Sequence, residues 1–148
     1  MKKIIFVMAV MLIGLSASPQ NTSLLLNNYI DVKNALVSSN GKAATETISI
    51  LHNSVKNEEN FVQKAELLKA TEKMYKAGNN LDKQRAAFND VSTIMWQLVK
   101  GSETVNGSVY YQYCPMKKAW WLSREKDIKN PYYGSAMLTC GNVAETRE

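Results

Sequence analysis

Four apolar stripes at helical spacing, separated by short polar or glycine-bearing connectors, restrict most of this chain to packed helices. Leu25, Tyr29, Val32 and Leu36 recur at steps of three and four, with Leu26, Ile30 and Val37 beside them. That spacing predicts a first helix over Gln20 to Ser39. Asn21, Thr22 or Ser23 can cap it by accepting from a free N–H. Ser38-Ser39-Asn40-Gly41 should stop it, because Asn and Gly tolerate the left-handed conformation of a helix end. Ala44, Ile48, Leu51 and Val55 predict a second helix over Lys42 to Val55. Lys56-Asn57-Glu58-Glu59-Asn60 is a polar connector. A third helix is expected over Phe61 to Ala77, with Phe61, Ala65, Leu68 and Tyr75 on its buried side. Gly78-Asn79 ends it, and Asn80 can cap a fourth helix over Leu81 to Lys100. That helix runs through Phe88, Val91, Met95 and Leu98, and Gly101 closes it. The expected fold class is mainly α: an antiparallel up-and-down four-helix bundle.

Beyond Gly101 the texture changes. Asn106-Gly107 is a turn signal, and Val109-Tyr110-Tyr111-Gln112-Tyr113 has the β-branched and aromatic make-up of a short strand. Ala119-Trp120-Trp121-Leu122 is its expected partner across Pro115-Met116-Lys117-Lys118. Asn130-Pro131 and Gly134 punctuate a second loop. Residues 102–148 therefore read as a small irregular, β-hairpin, aromatic-rich subdomain packed on the bundle of residues 19–101. It is too small for a core of its own, so the two form a single domain over residues 19–148. Trp120, Trp121, Tyr132 and Tyr133 should serve mainly to pack the tail on the helices. Arg85, on or beside the apolar face of the fourth helix, should lock tail to bundle through tail carbonyls or Asp127.

The N-terminus sets an expected compartment. Lys2 and Lys3 precede an apolar run from Ile4 to Leu15, followed by Ser16, Ala17 and Ser18. This is the pattern of a secretory signal peptide over residues 1–18, too short for a stable membrane span. Leu15-Ser16-Ala17-Ser18 has the shape of a lipobox but carries Ser in place of the lipidated Cys. The expected location is thus the periplasm or the medium, with no stable membrane insertion after cleavage. Removal of Lys2 and Lys3 lowers the formal charge from +5 to +3. The remaining lysines are scattered, which gives no footprint for nucleic acid.

Both cysteines and two methionines lie in the tail: Cys114 and Met116 around Pro115, and Met137 and Cys140 three apart. Thiolates and thioethers are soft donors that favour Cu(I) and similar ions over hard cations. Cys114, Met116, Met137 and Cys140 together would supply an S4 set from two loops, for one Cu(I) or Ag(I). The same pair of thiols in an exported chain is also the ordinary make-up of a Cys114–Cys140 disulfide, with both methionines as core fillers. Such a bridge closes a loop of about 25 residues, worth roughly 3 kcal/mol in the chain-entropy model. A third possibility combines them: the oxidised form inert, the reduced form metal-binding. The single histidine, His52, is expected at a helix surface rather than in a ligand set. No nucleophile elbow, phosphate loop, HExxH or CxxC is present, so no enzyme activity is expected.

A longer pattern adds a resemblance. Val109-Tyr110-Tyr111, Cys114-Pro115-Met116, Trp121-Leu122-Ser123, Ile128-Lys129-Asn130-Pro131-Tyr132-Tyr133-Gly134 and Met137-Leu138-Thr139-Cys140-Gly141 run through the tail. Arg85-Ala86-Ala87-Phe88 with Ser92 precedes them in the fourth helix. Together they resemble a bacterial cell-envelope domain family of unknown function. That family occurs alone in exported proteins and fused to the periplasmic adaptor subunits of RND-type heavy-metal efflux pumps. The resemblance implies a periplasmic soft-metal binding or delivery protein, with an efflux adaptor as a possible partner. The histidine that many members carry before the third helix is absent from Asn57-Glu58-Glu59-Asn60-Phe61. A disulfide-stapled interaction module of the envelope, with no metal, is the alternative.

Overall fold

The computed structural model describes residues 21–148. The signal-peptide expectation for residues 1–18 lies outside them. Four helices come first: α1 (Thr22–Val37), α2 (Gly41–Asn57), α3 (Lys64–Tyr75) and α4 (Leu81–Lys100). Three strands follow: β1 (Val109–Cys114), β2 (Ala119–Ser123) and β3 (Asn142–Arg147), with a short 3-10 turn at Gly134–Ala136. Each helix packs on the next in sequence, and α4 returns against α1. The mainly α bundle with a small C-terminal subdomain is therefore as the sequence indicates.

The asparagines set the helix starts. Asn21, Asn40 and Asn80 each accept a backbone N–H three residues on, from Leu24, Ala43 and Lys83, at 3.0 Å. Each satisfies one of the donors a helix start leaves open. The turn from α1 to α2 is compressed to three residues. Ser39 takes a left-handed φ of 55°. Its N–H bonds to Leu36 O, and that of Asn40 bonds to Ala35 O, the paired pattern that closes a helix C-terminus.

The buried face of α3 differs from expectation. Leu67, Ala70, Thr71 and Met74 are buried, whereas Ala65 and Tyr75 are exposed and Phe61 and Leu68 are half-buried. Phe61 precedes the helix and so does not set its phase. The helix starts at Lys64, and its buried stripe lies one position away from the expected one. His52 on α2 faces this helix: its Nδ1 lies 3.0 Å from Thr71 Oγ1, and its ring stacks on Tyr75 at 5.7 Å.

The sheet has the order β2-β1-β3 and is antiparallel throughout. The expected hairpin is present, with Tyr111 opposite Leu122 and Cys114 opposite Ala119. The third strand was not expected. A strand edge normally carries unpaired N–H and C=O groups, and on β2 the bundle covers them. Trp120 N–H donates to Asn89 Oδ1 at 2.9 Å, and Leu122 N–H donates to Tyr29 Oη at 3.1 Å. Tyr132 Oη in turn donates to Trp120 O. Tyr29 Oη also bonds Ser92 Oγ at 2.7 Å, so one phenol joins α1, α4 and the sheet. Below it, Phe88 stacks on Tyr29 with centroids 5.0 Å apart and meets Tyr132 at 5.9 Å. On the face toward α4, Trp96, Tyr111 and Trp120 stack in series at 4.7 and 4.6 Å, and Tyr113 closes the row.

Burial of these phenols gives a pH signature. Desolvation pushes Tyr111 up to about 12 and raises Tyr29 and Tyr132 above the ordinary tyrosine value. A phenol with a raised folded-state pKa contributes stability below its unfolded value, and this is lost as pH climbs toward the folded value. The denaturant midpoint should therefore hold to about pH 10 and fall steeply between pH 10 and 12. Equilibrium unfolding across that range, with tyrosinate absorbance followed in parallel, checks this. A midpoint that stays level through pH 12 would show these three phenols to be exposed.

Candidate metal and thiol site

The candidate site is built where β1 ends and β3 begins. Cys114 is the last residue of β1 and is fully buried. Cys140, two residues before β3, is half-buried. Their sulfurs lie 3.9 Å apart and both thiols are free. A disulfide bond is about 2.05 Å long, so the pair stands side by side, unbonded.

Asn130 holds the second loop in this position, and all four of its polar groups are engaged. Its N–H donates to Leu138 O at 2.8 Å, and its carbonyl accepts from Gly134 N–H. Its Oδ1 accepts from Tyr132 N–H at 2.8 Å, and its Nδ2 donates to Cys140 O at 2.7 Å. The Met137–Cys140 turn is thereby pinned at both ends, and Cys140 N–H closes it on Met137 O at 3.1 Å. Gly141 then takes φ 146°. A Cβ there would meet the Trp121 ring at 2.8 Å and Tyr113 O at 2.9 Å, so only glycine lets the chain enter β3 so close under Trp121. Gln112, fully buried, donates through Nε2 to the Glu125 and Lys126 carbonyls and holds the start of the same loop.

Arg85 ties this loop to the bundle. Its Nε donates to Pro131 O at 2.8 Å, and its Nη2 donates to Leu36 O and Ser39 Oγ at 2.9 Å. The expected lock between tail and bundle is present through a tail carbonyl, while Asp127 is not among its hydrogen-bond partners. A guanidinium can serve several carbonyls at fixed angles, and Asp127 belongs to a segment of the loop already held by Gln112.

Of the four sequence-derived donors, the structure brings together the two thiols. The Met116 backbone N–H lies near enough to the Cys140 sulfur to favour its thiolate. The Met116 and Met137 side chains are 64% and 38% exposed, too open for the core-filling role that was the alternative for them. Both sit on the turns that carry the thiols. Among the described residues, no three of His, Cys, Asp and Glu converge as a ligand set. The Cys140 thiol is held above its ordinary pKa by desolvation, then by the Cys114 thiol beside it, against the lowering effect of the Met116 N–H. Asn130 is the residue whose role sequence reading missed. Its signals are the position before Pro131, which marks a turn, and its place in the Ile128–Gly134 stretch of the tail pattern.

No described helix is long and apolar enough to cross a membrane. No curated protein and no solved structure matches the chain. A family model described as protein of unknown function (DUF3347) matches residues 25–107, which span the bundle and the approach to β1. On that match, the chain belongs to the DUF3347 family.

Proposed function

We propose that this protein is exported to the bacterial envelope and binds one soft monovalent ion, Cu(I) or Ag(I), through Cys114 and Cys140, with Met116 and Met137 as weaker thioether donors. The observation that carries the reading is the 3.9 Å separation of two free thiols. Two sulfurs each about 2.3 Å from a shared ion, at tetrahedral or trigonal angles, lie about 3.8–4.0 Å apart. The pair thus has the spacing of one edge of a thiolate metal site and needs little rearrangement. Soft sulfur donors select Cu(I)-like ions. The tail pattern from Val109 to Gly141, which resembles domains fused to heavy-metal efflux adaptors, supports the same reading and makes such an adaptor the natural recipient of the ion. The competing reading is a disulfide-stapled interaction module. Closing 3.9 Å to a bond requires the two side chains to turn toward each other, after which no thiolate remains for a metal.

Fully reduced protein titrated against a Cu(I) chelator separates the two. The wild type should take up one ion, and the oxidised protein none. Cys114→Ser and Cys140→Ser should each abolish tight binding, while Met116→Leu or Met137→Leu should weaken it. Because Cys140 holds its proton more tightly than an ordinary thiol, binding must expel that proton, and affinity should rise with pH through the thiol range. If reduced wild type competes no better than the double Cys→Ser variant, the metal reading fails and the stapled module stands.

A further inference from the structure

A second site lies on the other side of the β1–β2 turn. A cavity of about 350 Å³ opens between the first turns of α4 and that turn, lined by Asp82, Arg85, Asn89, Lys117, Lys118 and Tyr132, with Ala86 and Ala119 as its small-residue walls. Its size is at the lower end of the range for small-molecule pockets, about 300–1,000 Å³.

The polar groups in it are nearly all donors. Arg85 is fixed by bonds from Nε and Nη2, while its Nη1 makes no hydrogen bond among the described residues. No described carboxylate lies within salt-bridge distance of it. The fold reserves room for this guanidinium: a Cβ on Gly134, at φ 56°, would come within 2.9 Å of Nη2. Asn89 gives its Oδ1 to Trp120 N–H, which leaves its Nδ2 group as a donor. Lys117 lies over the Tyr133 ring at 5.2 Å. Lys118 adopts a left-handed φ of 51°, an uncommon conformation for a residue with a side chain. Three cationic residues and a single carboxylate, Asp82, thus line a concave space.

We infer that this cavity binds a small polycarboxylate, with one carboxylate on the Arg85 Nη1 and Asn89 Nδ2 donors and another between Lys117 and Lys118. A rigid guanidinium edge suits the planar carboxylate, and two flexible lysines suit a second anionic group at variable reach. Ionised carboxylates accept from such donors with more energy than neutral acceptors do. The site shares no donor atom with the dithiol and is independent of the metal reading.

The test is calorimetric titration of reduced, metal-free protein with citrate, succinate, acetate and inorganic phosphate at fixed ionic strength. Saturable binding is expected for citrate, weaker binding for succinate, and the weakest for acetate. Lys117→Gln combined with Lys118→Gly alters an exposed turn and relieves the left-handed residue, so the fold should persist, which near-ultraviolet circular dichroism checks. That variant should bind citrate roughly tenfold or more weakly. The double Cys→Ser variant should bind it as the wild type does, so failure of the metal reading leaves this result untouched. No saturable binding by the wild type, equal binding by the lysine variant, or phosphate bound more tightly than citrate would each overturn the inference.

Discussion

Phe88→Ala is expected to lower the unfolding free energy by about 3–5 kcal/mol. The ring is fully buried, stacked on Tyr29 and in contact with Tyr132. Alanine removes its apolar surface from the core and leaves a cavity between elements that the backbone holds apart. The structure adds a consequence that burial alone does not give. Tyr29 and Tyr132 are the phenols that cap the β2 edge. Loss of the ring between them should loosen the sheet on the bundle as well as the bundle itself. The denaturant midpoint should fall, and Cys114 should react faster with a thiol reagent under native conditions. An unchanged midpoint would place Phe88 outside the core.

Gly134→Ala should be nearly as costly, by about 2–5 kcal/mol, from two sources. A left-handed conformation costs a residue with a Cβ about 1–2 kcal/mol, and the position has φ 56°. Overpacking adds typically 1–3 kcal/mol: the new Cβ would meet Ser39 Oγ at 2.5 Å and both Arg85 Nη2 and Val37 O at 2.9 Å. The serine can rotate away. The helix carbonyl and the thrice-bonded guanidinium cannot. Gly78→Ala is the matched control, since Gly78 has φ 54° and nothing within 4 Å of its Cβ position. It should show the conformational cost alone. If the two variants lose equal stability, the contact between loop, α1 and Arg85 is looser than the geometry states. If Gly134→Ala loses more, the excess measures that clasp.

Those two residues mark the boundary of what was legible in the chain. Phe88 was readable because helical periodicity is local: Val91, Met95 and Leu98 repeat its phase on one helix, and nothing distant is needed to assign the face. The same holds for the Asn80 cap and for the β1–β2 pairing across a four-residue turn. Where a local cue misled, it was an apolar residue outside the helix. Phe61 suggested a phase for α3 that the true start at Lys64 does not share.

By itself the sequence determined the helix count, the hairpin, the soft character of the donors and their confinement to two turns. These follow from side-chain chemistry and from spacings of a few residues. Tertiary structure alone decided what depends on residues far apart in the chain. It placed β3 beside β1, which alternation in Asn142–Arg147 is too polar to announce. It set the Cys114–Cys140 sulfurs 3.9 Å apart, a distance fixed by Asn130 bonding four groups across its own loop. It also extended the expected Arg85 lock between α4 and the tail to the end of α1, through Leu36 O and Ser39 Oγ. Spacing along a chain carries no information about such closures, because they are set by which backbone carbonyls happen to converge once the helices have packed.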